Sequence, residues 1–141
     1  MSITYDTLYD LFTWAWMDGM GSSEAWVHRQ DGRGYCTTDW DDSINEPQPE
    51  DFPSDDWIVI PDKRDLDLGS HLVFRFAKTQ LSAEQQEWVF DIFRQKGAYR
   101  RYKDYLTRID QLNAWYEFQH AEEEMAIRAW AEEQGIVVRD D

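Results

Sequence analysis

Apolar residues recur at intervals of three and four along the first part of the chain. Within residues 3–17 they form one helical stripe, which comprises Tyr5, Leu8, Phe12 and Ala15. Gly19 and Gly21 follow directly, and glycine is common where helices end. The spacing therefore predicts an amphipathic helix over residues 3–17.

The next segments have the composition of strands around a tight turn. Residues 24–30 and 33–38 flank Asp31–Gly32, a dipeptide that adopts positive φ at little cost and is typical of hairpin turns. Trp57–Ile60 is a short apolar run that ends at Pro61. We therefore predict an antiparallel β-hairpin, to which this run can add a third strand.

An acidic segment, which we define as residues 39–56, separates the hairpin from that run. It contains three prolines and a cluster of Asp, Glu and Ser, so we expect an irregular exposed loop. Most of the net charge of -15 lies in residues 39–67, which contain eleven acidic and two basic residues.

Helical patterns dominate the second half of the chain. Ser82 and Gln85 have the spacing of a capping box, and an apolar stripe follows until Gly97. Later apolar positions at three- and four-residue intervals predict further helices that end at Gly135. Leu72–Lys78 fits two patterns, because its apolar alternation favours a strand while its small and branched residues also suit a helix.

Together these patterns predict an α+β fold. It consists of an N-terminal helix, a small antiparallel sheet with the acidic segment, and a C-terminal helical bundle. The length of 141 residues suits a single domain over residues 1–141. We divide it into a helix, sheet and loop part over residues 1–67, a helical part over residues 68–136 and a tail over residues 137–141.

The composition predicts a folded domain with an acidic surface. Eight Trp, seven Tyr and seven Phe supply a large apolar core, and no apolar run is long enough to cross a bilayer. The net charge of -15 disfavours direct wrapping of DNA or RNA, because the phosphates would be repelled. We expect a protein partner instead, one that is basic or binds nucleic acid itself.

The cysteine count and the N-terminal residues indicate in which cellular compartment the protein is expected. Cys36 is the single cysteine of the sequence, which excludes an intrachain disulfide and a Cys-based zinc cluster. The acidic N-terminal residues lack the pattern of an export signal. We therefore expect a cytoplasmic protein that does not bind a membrane; the sequence leaves its oligomeric state open.

Several motifs of the second half resemble a known family. The run Gly97-Ala-Tyr-Arg-Arg-Tyr-Lys-Asp-Tyr-Leu106 is followed by Trp115-Tyr-Glu-Phe118, Ala129-Trp130 and Gly135-Ile136. In these motifs and their spacing the chain resembles the bacterial uncharacterised protein family 0158. The match is specific over residues 97–136 and weaker upstream. The resemblance implies a helix over Leu72–Lys78, and it implies no particular activity.

Five cations lie within ten residues, 94–103, of this acidic chain. Arg100, Arg101 and Lys103 stand at the start of a predicted helix, where free N–H groups favour anions. They are the candidate site for a phosphate-bearing ligand such as a nucleotide or RNA. The alternative is that they pair with the three acidic residues 122–124 of the last helix.

Candidate contacts of a protein partner lie in and beside the acidic segment. Carboxylates attract a basic surface, and exposed tryptophans are common in protein interfaces. The predicted partner-binding residues are Asp41, Asp42, Asp55, Asp56, Trp16 and Trp40. A regular series of carboxylates can also mimic a nucleic-acid backbone and inhibit a DNA- or RNA-binding protein.

Motifs of catalysis are missing from the sequence. It has no P-loop, no Gly-x-Ser-x-Gly and no dinucleotide-binding glycine pattern, and its three histidines lack metal-ligand spacing. We therefore predict no enzyme, no metal and no cofactor. The predicted function is a non-catalytic protein-binding or regulatory module that acts through the acidic segment and an aromatic patch. The alternatives are a phosphate-ligand binding protein or enzyme that uses the candidate cations, and a nucleic-acid mimic.

Overall fold

A computed structural model describes residues 2–16, 23–38 and 47–140. In these residues the chain forms five α-helices and five β-strands, which confirms the predicted α+β class. The chain divides into two compact units. The first unit comprises the residues up to Leu66 together with those from Ala126 onward, and the second unit is Asp67–Met125.

The predicted N-terminal helix is α1 (Tyr5–Ala15), and a short strand, β1 (Ser2–Thr4), precedes it. Thr4 caps the helix, since its hydroxyl accepts a hydrogen bond from the backbone N–H of Thr7 at 3.2 Å. The predicted apolar stripe is buried at Leu8, Leu11 and Phe12. The helix is confirmed, with a strand in place of its expected first residues.

The predicted hairpin consists of β2 (Ser23–His28) and β3 (Gly34–Thr38), which are antiparallel. The apolar run forms β4 (Trp57–Val59), which pairs with the other side of β2 and gives the strand order β3-β2-β4. Gly32 in the turn has a φ of 75°. A Cβ atom there would lie 2.9 Å from the carbonyl oxygen of Ser2, so the turn requires glycine for both conformation and space.

A second small sheet joins the two ends of the chain. β5 (Val137–Arg139) pairs in parallel with β1, with Ile3 opposite Val138. Sequence analysis assigned residues 137–141 to a tail and did not predict either strand. The core of the first unit accordingly combines side chains from both chain ends, among them Ile3, Leu8, Phe12, Val27, Ile127, Trp130 and Ile136.

The second unit is helical. It contains α2 (Ser70–Gln80), α3 (Ala83–Ile92), α4 (Ala98–Arg108) and the first part of α5 (Leu112–Glu133), whose last residues belong to the first unit. The ambiguous segment lies within α2 and is helical, as the resemblance implied. At α3 the predicted capping box is present. None of the helices in the described residues is both long and apolar enough to span a bilayer.

Aromatic rings fill the core of the second unit. Trp115 is buried between Phe76 and Tyr102, whose ring centroids lie 5.4 and 5.1 Å from its own. The Tyr102 hydroxyl is buried, and no described residue provides it with a hydrogen-bond partner. Burial, with a smaller contribution from Tyr99, raises the pKa of Tyr102 far above its ordinary value.

Candidate functional site

The outer face of the three-stranded sheet carries a cluster of aromatic side chains. Ala25 and Val27 belong to the core with α1, so Trp26, which alternates with them, points to the opposite face. Tyr35 stands opposite Trp26 in register and stacks on it at a centroid distance of 5.4 Å. Phe52, from the acidic segment, meets both rings edge-on at 4.9 Å. The segment therefore packs on this face through an apolar side chain.

A polar contact next to these rings ties the acidic segment to the sheet. The carboxylate of Asp51 lies 3.1 Å from Nε2 of His28 and 3.2 Å from Nε1 of Trp57. It also accepts a hydrogen bond from Nη2 of Arg33 at 3.0 Å. These three donors come from β2, β4 and the hairpin turn. Asp51 therefore joins two strands and the turn of the sheet to the segment.

The hydrogen bonds of Asp51 also affect the pKa of its carboxyl group. Partial desolvation by itself would raise the pKa of this carboxyl. The hydrogen bonds from Trp57 and Arg33, with the positive charge of Arg33, outweigh desolvation and hold the pKa of Asp51 below its ordinary value. Asp51 is therefore ionised at neutral pH and remains a strong acceptor.

Asp31 in the hairpin turn forms a second ion pair with the same arginine. Its Oδ2 accepts from Nε of Arg33 at 2.7 Å, and its Oδ1 accepts from the backbone N–H of Arg33 at 3.0 Å. Desolvation opposes ionisation of Asp31, but these hydrogen bonds outweigh it and lower its pKa. Arg33 thus lies between two carboxylates, and its guanidinium carbon is 5.3 Å from the ring centroid of Trp57.

His28 is engaged at both ring nitrogens. Nδ1 lies 3.2 and 3.4 Å from the backbone N–H groups of Gln30 and Asp31 and 3.2 Å from Oδ1 of Asp31, while Nε2 faces Asp51. The imidazole is also buried. Because neither nitrogen is left for a substrate, this arrangement suits His28 to holding the loop rather than to transferring protons.

The end of the acidic segment is held by further contacts. The carbonyl of Asp56 accepts a hydrogen bond from the backbone N–H of Arg29 at 2.6 Å, and its carboxylate lies 3.4 Å from the side-chain amide of Gln30. The neighbouring Asp55 is exposed. Two of the predicted partner-binding carboxylates are therefore displayed on a backbone anchored to the sheet on both sides.

The remaining predicted partner-binding residues have different positions. Trp40, Asp41 and Asp42 lie outside the described residues. Trp16 is half-buried at the end of α1, where its Nε1 donates to the carbonyl of Pro61 at 2.9 Å. Lys63 covers it at 5.4 Å from the ring centroid. Among the described residues, the side chain of Trp16 contacts Phe12, Pro61 and Lys63 and not the anchored carboxylates, so the structure does not bring these two predicted parts together.

The predicted anion-binding cations lie exposed on α4 of the second unit. Arg101 donates a hydrogen bond to Oε1 of Gln95, and the ammonium of Lys103 lies 5.9 Å from the ring centroid of Tyr116. The alternative predicted for Arg100, Arg101 and Lys103 was pairing with the acidic residues 122–124. The ion pairs found among described residues include none between these two groups.

Sequence reasoning missed the contact between His28, Arg33 and Asp51. The Asp31–Gly32 turn was the available signal, because it brings His28 and Arg33 to the same end of the hairpin. Nothing in the composition singled out Asp51 among the acids around it. In the described part of the chain no group of three or more His, Cys, Asp or Glu side chains is arranged to hold a metal ion.

Comparison with protein-family models, with curated proteins and with solved structures finds no match to this chain. The resemblance to family 0158 therefore stays a prediction, and the function is argued from the site.

Proposed function

We propose that this protein is a non-catalytic protein-binding or regulatory module of the cytoplasm, and that its partner presents a basic surface to the acidic segment. The observation that carries this proposal is the anchoring of the segment by Asp51. Its carboxylate contacts His28, Arg33 and Trp57, which come from three parts of the sheet.

Anchoring matters because binding through a flexible loop loses conformational entropy. A segment that is already held to the sheet at Asp51 and Asp56 loses less conformational entropy when it binds. Less of the electrostatic attraction is then offset by that loss, and the affinity is higher. Exposed charges contribute mainly to the rate and specificity of association, and salt screens them. We therefore expect rapid, salt-sensitive binding through Glu50 and Asp55, which are exposed.

The environment of His28 also supports a binding role. Buried histidines beside carboxylates are the usual candidates for general bases. Here both ring nitrogens face groups of the protein itself. The residue that most resembles catalytic machinery thus supports the loop that displays the carboxylates.

The test is affinity capture from a nuclease-treated bacterial lysate, with the bound proteins identified by mass spectrometry. The wild type is compared with a Glu50→Gln/Asp55→Asn/Asp56→Asn variant. A matched variant, Asp6→Asn/Asp10→Asn/Glu132→Gln, removes three exposed acids of the same unit outside the segment.

We expect a stoichiometric basic protein that the wild type and the matched variant retain. The segment variant should lose it, and so should the wild type at about 0.5 M salt, where charges separated by more than a few ångströms are screened. A partner that binds all three proteins equally would place the interface elsewhere and contradict the proposal.

A further inference from the structure

A row of aromatic rings lies along the second unit. Phe90 stacks on Phe74, with ring centroids 4.7 Å apart and planes inclined by 20°. Phe93 contacts Phe74 at 5.8 Å and Tyr99 at 5.1 Å. Phe90 and Tyr99 remain 45% and 46% exposed. We call Phe74, Phe90, Phe93 and Tyr99 the aromatic band; it presents ring surface to solvent from α2, α3 and the start of α4.

Positive charge accompanies the aromatic band. Arg100 directly follows Tyr99, and Lys103 lies four residues after Tyr99, which places Lys103 on the same side of α4 as Tyr99. The ammonium of Lys103 reaches the half-exposed ring of Tyr116. Residues 92–103 contain five basic residues and no acidic residue, so this stretch of an acidic chain is net positive, although Asp91 beside Phe90 pairs with Arg94.

We propose that the aromatic band and its cations bind single-stranded nucleic acid, with bases on the exposed rings and phosphates against Arg100 and Lys103. Phe90 and Tyr99 of the band, and Tyr116 beside Lys103, are exposed aromatic side chains of the described second unit. Flat rings bind bases of any sequence, and neighbouring cations follow the backbone. None of the ion pairs found among the described residues involves Arg100, Arg101 or Lys103, which leaves these cations available for phosphate.

The charge of the whole chain limits what kind of nucleic acid fits. A net charge of -15 repels the dense phosphates of a duplex, so extensive wrapping stays disfavoured. A single strand has a lower charge density and exposes its bases, and stacking then adds an attraction that does not depend on charge. This site uses residues 74–116 of the second unit, so it is independent of the acidic segment.

The test is fluorescence anisotropy with labelled single-stranded RNA and DNA of about ten nucleotides, a length within the range that one such site covers. We expect saturable binding at about 50 mM salt that weakens steeply at higher salt. Tyr99→Ala and Phe90→Ala should each weaken binding about tenfold, while Tyr99→Phe keeps the ring and restores it. Arg100→Ala should reduce the slope of log affinity against log salt concentration by about one, the change expected when one phosphate contact is lost.

Trp88→Ala is the matched control. Trp88 is 54% exposed on the same helix as Phe90, but it contacts Tyr105, not the aromatic band. Loss of this ring should leave binding unchanged. Circular dichroism and a urea titration verify that each variant is folded.

Three results would overturn the proposal. The first is that the folded wild type binds neither RNA nor DNA. The second is that Trp88→Ala weakens binding as much as Tyr99→Ala. The third is a dimer in sedimentation velocity that Tyr99→Ala abolishes, which would identify a second copy of the chain as the occupant of the band.

Discussion

Nε2 of His28 and Oδ2 of Asp51 lie 3.1 Å apart although 23 positions separate them in the chain. The contact crosses from β2 to the acidic segment, and Asp51 extends it to Trp57 and Arg33. The contact between this buried imidazole and the exposed Asp51 carboxylate thus fixes the point at which the acidic segment meets the sheet.

Asp51→Ala is expected to lower the urea midpoint of unfolding. The substitution leaves the N–H groups of His28 and Trp57 without their acceptor, and buried donors that lose a partner are destabilising. Asp55→Ala, in the same loop, is the control and should leave the midpoint unchanged, because Asp55 makes no described side-chain hydrogen bond. Tryptophan fluorescence reports both transitions; equal midpoints for the two variants would argue against the anchor.

The same carboxyls predict a loss of stability in acid. The pKa values of Asp31 and Asp51 lie below the ordinary 3.8 in the folded chain. When the pH falls below that value, the unfolded chain binds protons that the folded chain does not, so protonation favours unfolding. The contribution of Asp31 and Asp51 to the free energy of unfolding is present above about pH 4. It disappears as the pH falls through their pKa values in the folded chain.

Urea titrations at a series of pH values between about 6 and 3 test this sign. The double variant Asp31→Asn/Asp51→Asn should be less stable at the upper end of the range and should lose less stability on acidification. If it loses as much stability as the wild type, other carboxyls cause the acid dependence.

Gly32→Ala is expected to destabilise the protein more than Gly135→Ala. Both glycines have a φ of 75°, so an L-residue at either position costs about 1–2 kcal/mol of conformational energy. At Gly32 the new methyl group would also lie 2.9 Å from the carbonyl oxygen of Ser2, whereas at Gly135 no atom of the described residues beyond the adjacent ones lies within 4 Å of it. The difference between the two free energies of unfolding therefore isolates the steric contact; equal values would mean that the turn is not close to β1.

Deletion of residues 137–141 is expected to destabilise the first unit. It removes β5 and with it the parallel pairing to β1, together with Val138, which packs against the core. Asp140→Asn is the control, since it weakens the exposed ion pair with Arg128 but retains the strand. A deletion variant with the urea midpoint of the control would show that the pairing contributes little.

Tyr102→Phe is expected to stabilise the protein. The Tyr102 hydroxyl is buried without a hydrogen-bond partner in the part of the chain that the structure describes, and an unsatisfied buried hydroxyl costs about 1–3 kcal/mol. Because burial raises its pKa, the wild type should also lose stability above about pH 10, where the unfolded tyrosine ionises first. Tyr105→Phe, at a half-exposed ring, is the control with little expected effect on the free energy of unfolding.

Local chemistry was sufficient to predict the elements that depend on near neighbours. The Asp31–Gly32 turn and the capping box at Ser82 both involve residues within a few positions of each other, and both are present. The apolar stripe predicted for α1 is likewise the face of the helix that is buried. In each case the pattern and the contact lie in the same short stretch of sequence.

The unpredicted features depend on contacts between distant parts of the chain. β1 and β5 have three residues each, too few for a periodic pattern, and each forms because the other is present. Asp51 is one of many acids in its segment, and its role follows from where the loop returns to the sheet. The alternation in Leu72–Lys78 was misleading for a related reason, since a helix buried on more than one side can also alternate over a few residues.

The division of α5 between the two units has a consequence for synthesis of the chain. The core of the first unit includes Ile127, Trp130 and Ile136, which the ribosome adds after the whole of the second unit. During translation α1 and the hairpin therefore emerge before these core residues are present, whereas all residues of the second unit precede them. The second unit can complete its fold first, and the first unit closes once residues 127–136 have left the ribosome.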